Sequence, residues 1–183
     1  MKRIAMLIIL AFSYMTLVGC SSTLTSGKDV VVEKQLTGEP EQVPEKQPER
    51  KSDLKKPPKA DIVIGERVYP TKLGTYCWTS TNQSICVDTA GPVELLKDVA
   101  PVSVQPGEVV KFAMNVEPKP NKYHVTQMTA EGSSIDVAVK ENSFHAPAQK
   151  GTYYYSYGVW WMDELIENQS NGDAFYCFVL QVI

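Results

Sequence analysis

Apolar and polar residues alternate with a period of two through most of the chain beyond residue 61, as they do in strands that bury one face. Val110, Phe112, Met114 and Val116 alternate with Lys111, Ala113 and Asn115, behind a turn at Gln105-Pro106-Gly107-Glu108. Ile135, Val137 and Val139 alternate in the same way with Asp136, Ala138 and Lys140, which predicts a second half-buried strand. In a third, Tyr153, Tyr155, Tyr157, Val159 and Trp161 share one face, while Thr152, Tyr154, Ser156, Gly158 and Trp160 share the other. Residues 174–182 are apolar on both faces, as a central strand requires. Turn pairs such as Gly91-Pro92, Lys150-Gly151 and Asn171-Gly172 separate these runs, and only residues 92–99 and 162–168 predict short helices. Short strands at this spacing predict an all-β fold, a single antiparallel β-sandwich over residues 61–183.

The first sixty residues have a different grammar. Lys2 and Arg3 precede an apolar run from Ile4 to Val18, too short to span a bilayer and ended by a small residue and a cysteine, the layout of an export signal over residues 1–19. Leu17-Val18-Gly19-Cys20 resembles the lipobox of bacterial lipoproteins. That resemblance implies cleavage before Cys20 and acylation of its thiol, hence a lipid anchor on the extracytoplasmic side of the cell membrane. Two or three acyl chains, at about 0.8 kcal/mol per buried CH₂, give the stable attachment that one chain cannot. Residues 20–60 then hold five prolines, no aromatic residue and charges of both signs, and read as a disordered linker too poor in apolar surface to fold. A coil of that length spans roughly 35 Å, and an extended polyproline-like stretch roughly three times more.

Charge sharpens the division. Residues 61–183 carry eight Lys/Arg against fourteen Asp/Glu, so a formal charge of −3 for the chain conceals an acidic domain of −6. Phosphate backbones need a basic face, and nucleic acid is therefore excluded as a partner of this domain.

The turn Pro106-Gly107-Glu108 before an alternating strand, the opening Gly151-Thr152-Tyr153-Tyr154-Tyr155, and the closing strand Gly172-Asp173-Ala174 with Tyr176, Phe178, Leu180 and Val182 are similar to immunoglobulin-like domains of bacterial surface lipoproteins. One departure matters. In antibody-type domains a tyrosine lies two residues before the strand-F cysteine, whereas Tyr176 and Cys177 are adjacent and face opposite sides, so an antibody-type inter-sheet disulfide is not expected. With Cys20 acylated, Cys77, Cys86 and Cys177 remain in an oxidising compartment. Cys77 and Cys86 lie close enough to staple a hairpin; the other pairing joins Cys177 to one of the two.

No nucleophile elbow, phosphate-binding loop or zinc-protease spacing occurs. A cupredoxin-like copper set would have to draw on His124, His145, Met128 and Cys177, which are scattered, and residues 168–173 lack the closing glutamate of a calcium loop. No catalytic residue, metal or cofactor is therefore assigned. The remaining signal is Trp160-Trp161-Met162-Asp163-Glu164: alternation points Trp160 outward beside Tyr154 and near Asp163 and Glu164, a combination that stacks on sugar rings or accepts a basic peptide. These four residues, Tyr154, Trp160, Asp163 and Glu164, are the candidate ligand-binding set, for a cell-wall polymer or another envelope protein. A small cell-wall hydrolase using Asp163, Glu164 and Asp173, or an extracellular protease inhibitor, are the alternatives to a non-enzymatic binding module.

Overall fold

The computed structural model describes residues 49–81 and 83–183, so the signal segment, Cys20 and the linker up to residue 48 lie outside the described residues. The compact unit is an all-β sandwich of two antiparallel sheets. The smaller sheet is built from β2 (Ala60–Ile64), β3 (Arg67–Pro70), β7 (Val109–Met114) and β11 (Ser143–His145), in the order β11-β7-β2-β3. The larger runs β10-β9-β12-β13-β4-β5, from β10 (Ser134–Asp136), β9 (Lys122–Met128), β12 (Gly151–Met162), β13 (Ser170–Val182), β4 (Lys72–Thr79) and β5 (Ser84–Val87). β6 (Val102–Val104) pairs in parallel with the far end of β13, beyond the stretch that β4 covers. A short α1 (Pro92–Leu95) lies over the outer face.

Alternation places the core where the sequence puts it. Tyr155, Tyr157, Val159 and Trp161 point from β12 into the sandwich and are at most 4% exposed; they meet Ile62, Val110 and Phe112 of the smaller sheet. Aromatic pairs run the length of the interior. Tyr155 stacks on Phe178 at 4.8 Å, Phe112 on Tyr157 at 3.9 Å, and Trp78 meets Trp161 edge to face at 4.9 Å. Such pairs contribute roughly 0.5–1.5 kcal/mol each beyond the area they bury. β13 is apolar on both faces because both are covered: Tyr176, Phe178 and Leu180 join the main core, while Cys177 and Val179 pack under Leu96. Cys77 and Cys86 face each other in the β4–β5 ladder and form the disulfide, leaving Cys177 as a buried free thiol.

Three expectations are corrected. Residues 162–168 form no helix: β12 runs to Met162, and the Asp163 carboxylate then takes the backbone N–H groups of Leu165 and Ile166. The strand expected over 135–139 is shorter, Ser134–Asp136, and Ile135 faces solvent at 60% exposure, because the chain leaves the ladder to tuck Val137 and Val139 against the core. Regular structure is also present upstream of residue 61, within the stretch expected to be a disordered linker. β1 (Glu49–Arg50) pairs with β8 (Val116–Glu117), and a 3₁₀ turn (Lys51–Asp53) follows. Pro57 and Pro58 are buried. The Trp78 indole donates to the Leu54 carbonyl at 2.9 Å and the Tyr176 hydroxyl to that of Pro58 at 2.6 Å. Residues 49–59 are thus a strap across one end of the sandwich.

Candidate functional site

Trp160 sits near the end of β12, opposite Asp173 on one neighbouring strand and Lys122 on the other, and its outward direction is as alternation requires. The ring is half-buried and lies across Gly158. A Cβ there would come within 2.8 Å of both Trp160 and Phe175, so the missing side chain is what lets the indole lie down on the sheet. Phe175 holds it edge to face at 5.4 Å, and the Lys122 ammonium stands over it at 6.0 Å. Beside this pair, His124 meets Asp136 at 3.0 Å across β9 and β10, both well exposed. The site is therefore an open sheet face, with an aromatic pair at its centre and single charges of both signs around it.

The other candidate residues are distributed differently. Tyr154 shares this face of β12, but six residues along a strand is about 20 Å, and it is packed with Leu95 beside Leu96, Cys177 and Val179. Tyr154 and Trp160 are not brought together. Asp163 is engaged within its own loop: Oδ1 accepts from Leu165 and Ile166 at 2.9 and 3.0 Å, and Oδ2 accepts from the Asn171 amide at 3.0 Å. The amide of Asn171 first, and then these N–H groups, hold its carboxyl below the usual range. Glu164 is exposed on the same loop, next to Leu165 and Ile166, which are 95% and 53% exposed. Asp173 accepts the Cys77 N–H at 3.1 Å. Two of the three carboxylates named for a hydrolase thus hold backbone in place.

Sequence reading missed Phe175 and Lys122. Phe175 lies in a run apolar on both faces, where burial of both hides an outward ring; the odd numbering it shares with Asp173 and Cys177 was the available signal. The dispersed copper set is not assembled either. His145 belongs to the smaller sheet and bonds the Gly107 carbonyl at 3.0 Å, whereas His124, Met128 and Cys177 belong to the larger. Among the described residues no three His, Cys, Asp or Glu side chains converge as a metal site, and no helix is long and apolar enough to cross a membrane. Burial pushes the Cys177 thiol up to about 11, the opposite of what a nucleophile or thiolate ligand needs. Comparison with known proteins returns no match: no protein-family model, no curated protein and no solved structure matches this chain.

Proposed function

We propose that this chain is a lipid-anchored lipoprotein of the bacterial cell envelope whose immunoglobulin-like sandwich is a non-enzymatic binding module, with the open sheet face around Trp160 as its binding surface. The observation that carries this reading is the Trp160 indole lying across Gly158, held edge to face by Phe175, with Lys122 above it. A preformed, half-exposed aromatic plate with polar groups around it suits the ring of a wall saccharide, which stacks on an aromatic face and bonds at its edges. The engagement of Asp163 and Asp173 in backbone hydrogen bonds supports binding over hydrolysis. Anchoring rests on Leu17-Val18-Gly19-Cys20, and the partners are the membrane, through lipid on Cys20, and the wall polymer.

Leu165 and Ile166, exposed between Glu164 and Glu167, favour a second reading in which the partner is another envelope protein. The two readings separate in one experiment, co-sedimentation of residues 21–183 with purified cell-wall sacculi, beside Trp160→Ala and Leu165→Ser/Ile166→Ser variants. Wall binding predicts retention by sacculi that falls about tenfold in Trp160→Ala and persists in the loop variant. Retention unchanged by Trp160→Ala overturns the assignment of the surface. In cells, Cys20→Ala should release the protein from the membrane fraction; a variant that still fractionates with membranes refutes acyl anchoring.

A further inference from the structure

The two sheets do not close on each other everywhere. Between β7 and β9 a cavity of about 390 Å³ opens from the surface toward the core, walled by Phe112, Met114, Pro120, Tyr123 and Tyr157, with Lys119 among its lining. This lies at the small end of the range of about 300–1,000 Å³ typical of small-molecule sites. Its wall is mostly apolar, and Phe112 is clamped by its 3.9 Å stack on Tyr157, so the cavity is built from fixed core side chains on that side.

Polar side chains of Lys119, Tyr123, Asn142 and Tyr157 also line it, and the Tyr157 hydroxyl is the one that stands out. Tyr157 is only 4% exposed, yet its hydroxyl makes no hydrogen bond among the described residues. Among the described residues no fully buried side-chain oxygen or nitrogen lacks a partner, so this hydroxyl is not sealed in the core and reaches the open space its residue lines. A tyrosine hydroxyl buried with its ring normally finds a protein partner, as those of Tyr155 and Tyr176 do with Gln127 and Pro58. Burial first, and then the neighbouring Tyr123, push the Tyr157 phenol up to about 12, so it keeps its proton and can donate. Lys119 supplies the one charged group of the lining; its ammonium donates to the Met114 carbonyl at 2.6 Å and lies 3.7 Å from Glu117, which leaves donor capacity to spare.

We propose that this cavity is a binding site for a small amphiphilic monocarboxylate, its apolar body against Phe112, Met114 and Pro120 and its carboxylate on Lys119 and the Tyr157 hydroxyl. A single cation already shared with Glu117 suits a monoanion, whereas a dianion would be desolvated against an apolar wall without compensation. The site is independent of the Trp160 face, since its residues come from β7, the segment after β8, the start of β9, the turn before β11 and the inward side of β12.

The test uses residues 21–183 and sodium octanoate as probe, followed by amide chemical shifts, with octanol as the neutral control. Octanoate should give saturable shifts at residues 112–114 and 119–123, below its micellar concentration, and octanol should bind more weakly. Tyr157→Phe keeps the stacked ring and removes only the hydroxyl; Lys119→Met removes only the charge. Each should weaken octanoate about tenfold and leave octanol unchanged, with thermal stability as the check on folding. Absence of saturable shifts, equal binding of octanoate and octanol, or affinities unmoved in both variants would overturn the assignment.

Discussion

At the scale of single residues, this protein is decided by where a side chain has room to move. Gly158 and Gly172 are both buried in the large sheet, but a Cβ on each meets different neighbours. At Gly158 it meets the outer ends of Trp160 and Phe175, which face solvent on one side and can turn away. At Gly172 it would lie 2.9 Å from the Trp78 ring, and that ring is 1% exposed, bonded to Leu54, set against Trp161 and capped by Lys51 at 4.4 Å. Gly172→Ala should therefore cost about 1–3 kcal/mol, the range for overpacking a filled core, while Gly91→Ala, with nothing within 4 Å, should cost no comparable amount. Denaturant midpoints of the two variants check this, and equal midpoints would contradict it. The role of Trp78 depends on Leu54 and Gly172, far away in the chain, and no local pattern encodes that meeting.

At the scale of elements, the strands with the clearest alternation were the most legible. β12 and β13 follow the sequence pattern residue by residue, because both faces of each have fixed destinations. Legibility failed where side chains bond locally. Residues 162–168 have helical periodicity, but Asp163 offers Leu165 and Ile166 a competing acceptor, and Asn168 turns the chain back at a positive φ of 62°. The strap failed for another reason: prolines and lysines read as spacer, and its main contributions are backbone carbonyls, which any sequence possesses. Removing it is the corresponding prediction. Residues 61–183 alone leave the Trp78 indole and the Tyr176 hydroxyl without acceptors in the interior, at about 1–3 kcal/mol each, and also expose what Leu54, Pro57 and Pro58 cover. Relative to residues 49–183, the shorter chain should lose about 3–6 kcal/mol of unfolding free energy, a large share of the roughly 5–15 kcal/mol typical of a domain. A loss below about 1 kcal/mol, measured by urea titration, would show the strap to be passive. The cavity between β7 and β9 was equally hidden in the sequence, since its lining is drawn from strands that meet only in three dimensions.

At the scale of the whole molecule, the interior is rich in phenols, and one thiol lies in a second small cluster. Burial is the first cause that raises Tyr155, Tyr157, Tyr176 and Cys177, with Tyr157 at about 12 and Cys177 at about 11 against ordinary values of 10.0 and 9.0. Since each folded value lies above the unfolded one, the folded state holds more protons between them. Their contribution to stability is therefore undiminished below about pH 9 and is lost as pH climbs through the folded values, by about 2–3 kcal/mol for each of Cys177 and Tyr157. Alkaline titration should show the phenolates of Tyr155, Tyr157 and Tyr176 appearing together with loss of the fold, in one step between about pH 10 and 12. Titration of Tyr155, Tyr157 and Tyr176 near pH 10 in a still folded protein would contradict this packing.

The strap across the end of the sandwich has a mechanical consequence. Its fastenings, Lys51 to Asn171, Leu54 to Trp78 and Pro58 to Tyr176, occur in chain order ahead of β2. Tension drawn through the upstream chain meets them in series, so they give way singly and not together. Each release lengthens the chain and relaxes the pull before it reaches the ladder between β2 and β7, so the seam tears before the sheet does.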